Sequence, residues 1–229
     1  RQGISVSTGA TNTIVGGNAA AALTTGGNNV AIGAEALFTE DSGSYNTAVG
    51  SNALNQLNAG ADAYDTAVGY QAGLSLTTGI SNTLLGARSG KATTVGNKNV
   101  FVGHDAGFTN VDGSKSVAVG FEALKVQEPS GATDCYNIAV GETAGVAIST
   151  GIKNISIGGA SSAALTTGSN NIVLGHSSNV SASGATNQVV IGYNATGVSD
   201  NAVQLGNAST TVWHPADDNG CLLYTSPSP

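Results

Sequence analysis

The sequence predicts an all-β fold, a parallel β-solenoid (β-roll) of about 12 coils, and three observations predict it. A five-residue signature, Asn-x-x-hydrophobe-Gly, returns from one end of the chain to the other. Its glycines stand a nearly constant 17 residues apart, and a small residue and a second glycine keep the same register. A short fixed period is the mark of a stacked repeat in which each unit buries its face against the next.

The copies run in order from Asn12 to Gly16, Asn29 to Gly33, Asn46 to Gly50, Asp65 to Gly69, Asn82 to Gly86 and Asn99 to Gly103. They continue from Ser116 to Gly120, Asn137 to Gly141, Asn154 to Gly158 and Asn171 to Gly175, with two degenerate copies from Gln188 to Gly192 and Ala202 to Gly206. The glycine intervals are 17, 17, 19, 17, 17, 17, 21, 17, 17, 17 and 14. Three residues after each signature glycine stands only Ala or Ser, from Ala19 and Ala36 to Ala195 and Ser209. The second glycine falls about ten residues after the first, as at Gly26, Gly43, Gly60, Gly79, Gly113, Gly131 and Gly184. Each repeat therefore reads as a short strand, a glycine corner, a second short segment and another corner.

Seventeen residues are too few for a helix pair and suit one turn of a parallel β-coil. Coils stacked at about 4.8 Å would make a rod on the order of 55 Å long. The β-branched residues flanking the signature's centre, such as Val30 and Ile32, alternate with period two and are expected to fill the coil. The centres themselves, Ala31, Ala48, Ala67, Ala118 and Ala139, would then form a second dry face. A strand dry on both faces needs something packed over the second, and small Ala and Ser there would let neighbouring chains approach closely. The heads Asn12, Asn29, Asn46, Asn82, Asn99, Asn137, Asn154 and Asn171 are expected to stack as an amide ladder.

The full pattern at Asn29 to Ala36 resembles the head repeat of trimeric autotransporter adhesins, over roughly residues 3 to 210. The resemblance implies a left-handed parallel β-roll associated as a homotrimer. Most intervals here exceed the family's shorter repeat, which only the final interval of 14 matches. The variant from Gly69 through Tyr70, Gln71, Ala72 and Gly73 to Thr77, Thr78 and Gly79 is similar to repeats of phage tail-fibre and tail-spike proteins. Both resemblances imply a trimeric fibre that attaches a particle to a host surface, a virion tail fibre ahead of a bacterial cell-surface adhesin head. A passive spacer is the third reading.

Composition fits this picture and excludes others. The chain has 33 glycines, 9% charged residues, no Met and 5% aromatics, too few large side chains for a conventional domain core. Its formal charge is −7, and apart from Arg1 every Lys and Arg lies between Arg88 and Lys153, so no continuous basic stripe invites nucleic acid. No apolar run is long enough for direct membrane insertion by a helix. Catalysis needs a nucleophile or a paired acid and base in a pocket, and the three histidines do not supply one. His104 and His176 are four coils apart, roughly 19 Å, and no calcium-binding nonapeptide occurs, so neither an enzyme nor a cofactor or metal site is expected. The pairs Thr24-Thr25, Thr77-Thr78, Thr93-Thr94 and Thr166-Thr167 are too interrupted for an ice-binding face and read as corner residues.

The β-roll is assigned to residues 1–212, opening in mid-repeat, and an exit linker to residues 213–220. Residues 221–229, from Cys221 to Pro229, break composition and register and read as the translation of a sequencing adapter, hence a non-native tail, with a disordered Pro/Ser linker as the alternative. With that tail set aside one cysteine remains, Cys135, expected as a free thiol on a loop.

Function is expected where the regular pattern varies. The residue after the signature glycine changes among Tyr70, His104, Phe121, His176 and Tyr193. The long repeats add Tyr64, Asp134 and Tyr136 with their neighbours, and these insertions are expected at the same corner. Loops on a rigid scaffold are where recognition usually lives. These eight residues are the candidate contacts for a host surface glycan or protein receptor, against the alternative that they are tolerated insertions and corner aromatics.

Overall fold

The computed structural model describes residues 11–209. They form twelve strands of three residues each: β1 (Thr13–Val15), β2 (Val30–Ile32), β3 (Thr47–Val49), β4 (Thr66–Val68), β5 (Thr83–Leu85), β6 (Val100–Val102), β7 (Val117–Val119), β8 (Ile138–Val140), β9 (Ile155–Ile157), β10 (Ile172–Leu174), β11 (Val189–Ile191) and β12 (Val203–Leu205). All lie in one parallel sheet in sequence order, each strand hydrogen-bonded to the next. The chain is a β-solenoid of about 11 turns with a spacing near 17 residues. Long and short intervals leave the register intact: Thr47 pairs with Thr66, Val117 with Ile138 and Val189 with Val203. The exit linker and the tail proposed from the sequence lie outside the described residues.

Each strand ends where only glycine fits. Gly103 has φ 138, and a Cβ there would sit 2.3 Å from the carbonyl oxygen of Gly120 one coil on. The remainder of each coil forms no further strand yet stays stacked. Leu37 N–H donates to the Ala53 carbonyl at 2.9 Å and Thr39 N–H to that of Asn55 at 3.1 Å, so irregular backbone is satisfied between coils. The threonine pairs are corner residues here, with Thr77 Oγ1 donating to the Thr94 carbonyl at 3.1 Å and Thr94 Oγ1 to that of Val111 at 3.2 Å.

The strand faces are the reverse of the sequence expectation. The centres Ala31, Ala48, Ala67, Leu84, Phe101, Ala118, Ala139, Val173 and Val190 are buried, while Val30 and Ile32 point outward, Ile32 being 36% exposed. The small residues after the signature glycine, such as Ala36, Ala53, Ser89 and Ala106, are also interior and offer no surface to a neighbouring chain. The outer face instead carries two apolar ranks along its length. One runs through Val15, Ile32, Val49, Val68, Leu85 and Val102 to Leu205, the other through Val30, Val100, Val117, Ile138 and Ile155 to Val203, with Thr at β1, β3, β4 and β5. This phase follows from the signature head: an inward Asn puts the third position inward with it and turns the second and fourth out.

The Asn ladder is real but runs mainly through backbone. Asn29 Nδ2 donates to the Gly43 carbonyl at 2.9 Å, and its Oδ1 accepts the N–H of Asn46 at 2.8 Å. Asn12, Asn82, Asn99, Asn137, Asn154 and Asn171 repeat both contacts, so each amide clasps the following coil at two points. Amide-to-amide contact is the exception, as from Asn171 Nδ2 to Asn154 Oδ1 at 3.0 Å. The acceptor in the Asn171 pair is Ala185, so Gly184 does not occupy the column assigned to it from sequence. Gly60 and Gly131 also leave the column. Both have positive φ and open space around the Cβ position, as expected of residues in an insertion.

Inside the coil, large and small residues compensate between two columns. Where the strand centre is Ala31, Ala48 or Ala118, the position four residues past the signature glycine carries Leu37, Leu54 or Leu124, all buried. Where the centre is Leu84 or Phe101, that position is Gly90 or Gly107, and Gly73, which follows Ala67, is filled by Leu84 and Leu54 of the adjacent coils. A Cβ at Gly107 would lie 2.5 Å from Cδ2 and Cε2 of Phe101, so the ring occupies the volume that Leu fills elsewhere.

Candidate functional site

Two corners flank the outer sheet face, and each carries a column of outward side chains. The corner preceding each strand holds Asn28, Tyr45, Tyr64, Ser81, Lys98, Lys115, Tyr136, Lys153 and Asn170, one per coil. All are in the left-handed region, with φ 58 at Lys98, 59 at Lys115 and 51 at Tyr136. The corner following each strand holds Tyr70, His104, Phe121, His176 and Tyr193, all exposed.

The eight sequence candidates therefore divide. Tyr64, Asp134 and Tyr136 lie on the leading corner, and the other five lie across the sheet face on the trailing corner. The expectation that the insertions share a corner with the residues after the glycine is corrected, because each insertion ends before the strand begins and Tyr70 and its counterparts follow the strand's end.

On the trailing corner, aromatics of adjacent coils stack. His104 and Phe121 have ring centroids 5.6 Å apart at 16°, and His176 and Tyr193 lie 6.0 Å apart at 23°. His104 Nδ1 lies 3.4 Å from Asp105 Oδ2, which also binds Arg88 Nη2 at 2.5 Å. His176 Nδ1 and Ser177 Oγ are 2.9 Å apart, but among the described residues no carboxylate orients that ring. Also among the described residues, no group of three His, Cys, Asp or Glu could hold a metal ion.

The leading corner is chemically richer. Tyr45 and Tyr64 stack face to face at 5.2 Å and 5°. Three coils beyond Tyr64, Lys115 Nζ binds Asp134 Oδ2 at 2.5 Å and Tyr136 Oη at 3.1 Å, and lies 5.2 Å over the Tyr136 ring. The hydrogen bond from Lys115 pulls Asp134 below the ordinary carboxylate range, and the bond to Asp134, then that to Tyr136, raises Lys115. An open groove of about 320 Å³ lies here, lined by Ile80, Asn97, Lys98, Ser114, Lys115 and Asp134. The sequence singled out Asp134 and Tyr136 but missed Lys98, Lys115 and Tyr45. Reading the residue just before each signature head as a column would have found all three.

Cys135 is a free thiol outside the strands, as expected. It is fully buried beside Gly113, its N–H donates to the Ser114 carbonyl at 2.9 Å, and burial pushes its thiol above the usual value.

Compared with protein-family models, with curated proteins and with solved structures, the chain matches none.

Proposed function

We propose that this chain is a non-catalytic segment of a trimeric fibre that attaches a particle or cell to a host surface. One observation carries the reading: an outward sheet face bearing Val, Ile, Leu or Thr at both outer positions of every described strand. Ile157 is 41% exposed on it and Val68 39%, and singly exposed apolar residues are common where a continuous ladder of them is not. We take its cover to be the same ladder on two further copies, the association that the adhesin-type resemblance implies. A left-handed coil follows from the adhesin-type resemblance and belongs to the same proposal.

We favour a phage tail fibre in the virion, on the strength of the seventeen-residue repeats ending in Leu76, Thr77, Thr78 and Gly79 or Leu165, Thr166, Thr167 and Gly168. The bacterial adhesin head is the second reading, favoured by the 14-residue step from Gly192 to Gly206. In either case the two corner columns are the surfaces left for a receptor.

Light scattering after size exclusion, with sedimentation for shape, tests the assembly. The expected result is an elongated particle of three times the 22.3 kDa chain mass. A stable monomer at micromolar concentration would overturn it.

A further inference from the structure

We propose that the groove between Lys98 and Lys115 binds an acidic sugar, a pyranose carrying a carboxylate. The proposal rests on the attachment reading and names the ligand class of one of its surfaces.

Charge is the first argument. The chain carries a formal −7, yet Lys98, Lys115 and Lys153 rise on one corner within four coils. Lys98 and Lys115 are one coil apart, about 4.8 Å along the stack. One carboxylate lines the groove, Asp134 on the coil beyond Lys115, and Lys115 claims it. The Lys98 side chain makes no hydrogen bond or ion pair among the described residues, although its charge is felt at Asp134. An unpaired ammonium one coil from a second lysine on an otherwise acidic rod is a place where an anionic group is attracted.

The other lining groups decide which anion. Asp134 gives Oδ2 to Lys115 and Tyr136, and its Oδ1 is left to accept from a hydroxyl. A sulfate or a fully ionised phosphate has nothing to donate to that oxygen and would be repelled by it. A carboxylated sugar satisfies both ends, its carboxylate on Lys98 and a ring hydroxyl donating to Asp134. Ile80 offers an apolar wall for the sugar's C–H face. The Asn97 and Ser114 side chains are held by the scaffold, Asn97 Oδ1 accepting from Ile80 N–H at 2.8 Å and Ser114 Oγ from Asn97 N–H at 2.9 Å, so the floor of the groove is fixed before a ligand arrives. Preorganisation of this kind reduces the ordering cost of binding.

The test is titration calorimetry of the full chain with trigalacturonate, with neutral galactotriose and sodium sulfate as comparison probes. Trigalacturonate should bind in a salt-sensitive manner, and Lys98→Gln should weaken it about tenfold, the loss of one charge-assisted contact. Lys125→Gln removes a cation that is paired with Glu122 elsewhere and should leave binding unchanged. Asp134→Asn makes the patch more positive, so simple charge attraction would tighten binding, whereas its one carbonyl oxygen goes to Lys115 and its NH2 faces the ligand, so loss of the hydroxyl acceptor weakens it. Circular dichroism melting confirms that each variant is folded. Weakening by Lys98→Gln and Asp134→Asn together supports the site. No binding of trigalacturonate, equal binding of galactotriose or sulfate, equal loss in Lys125→Gln, or tightening in Asp134→Asn overturns it. Adsorption of labelled chain to cells separates this from the attachment reading. Adsorption unaffected by Lys98→Gln defeats the site alone, and adsorption to no cell or glycan surface defeats the attachment reading.

Discussion

Asp65 Oδ1 accepts both the backbone N–H of Asn82 at 2.7 Å and its side-chain amide at 3.1 Å, while Asp65 Oδ2, fully buried, has no partner. In most coils an Asn stands at this point, and its Nδ2 donates to the carbonyl fourteen residues on, as Asn82 does to Gly96 at 3.0 Å, whereas the Nδ2 of Asn46, one coil before Asp65, is buried without a partner. A protonated Asp65 has the shape and the donor of that amide. Burial above all, with some contribution from the charge of Glu40, raises its pKa from 3.8 to about 7.

The folded chain therefore holds a proton on Asp65 that the unfolded chain gives up near pH 4. Its contribution is fully present below the unfolded value and is lost as pH rises through about 7. At about 1.4 kcal/mol per unit, the difference between pH 4 and pH 8 is on the order of 4 kcal/mol. Asp65→Asn should remove this pH dependence and stabilise the chain at neutral pH. Urea unfolding at pH 4.5 and pH 8 checks it, and a wild-type midpoint that does not fall between those values sinks the argument.

The exchange of volume between Phe101 and Gly107 predicts coupling. Phe101→Ala should cost about 3–5 kcal/mol through the cavity it leaves. Gly107→Leu alone should be severely destabilising, because a Cβ there already meets the Phe101 ring at 2.5 Å. Together they reproduce the arrangement of Ala31 with Leu37 and should recover part of the loss. A double-mutant cycle from thermal or urea unfolding measures the coupling, and strict additivity would show that the two columns do not compensate.

Two repeat glycines, Gly103 of the signature and Gly131 of the second set, should behave differently. Gly103→Ala forces a Cβ to 2.3 Å from the Gly120 oxygen and should prevent proper stacking of β6 on β7. Gly131, with φ 77 and nothing within 4 Å of its Cβ position, should tolerate Ala at about 1 kcal/mol of backbone strain. Comparable melting temperatures for the two variants would contradict the structure.

On the outer face, Val68→Asp combined with Ile157→Asp should leave circular dichroism of the single chain unchanged, since both are exposed and exposed substitutions shift stability by about 0.5 kcal/mol or less. The same pair should abolish the trimer in sedimentation. A trimer that survives both charges would move the interface elsewhere.

The period, the strand positions and the signature glycines were legible in the sequence, because a recurring glycine and a recurring Asn need no knowledge of depth, whereas Gly60, Gly131 and Gly184 kept the spacing of the second corner without its place. The phase of the strand was not. With three residues per strand and apolar side chains on both sides, as in Val30, Ala31 and Ile32, alternation gives a period without saying which half is inside. The buried Asn29 carried the missing sign, since alternation from an inward head puts Ala31 inward as well. For the site, Tyr64, Asp134 and Tyr136 were visible as departures from the repeat, but Lys98 and Lys115 sit in coils of ordinary length. What makes them notable is a neighbour one coil away, and that proximity exists only once the stack has formed.

The forward grip of each Asn on the coil after it also has a mechanical meaning. Pulled from its two ends, the stack carries load through its inter-coil bonds in series, and an end coil, held from one side only, is the first to yield. Each coil that peels away releases about 17 residues, roughly 55 Å of extended chain, in place of the 4.8 Å it spanned before. A tether built this way lengthens about tenfold before its covalent backbone takes the strain, so it limits force by unreeling instead of snapping.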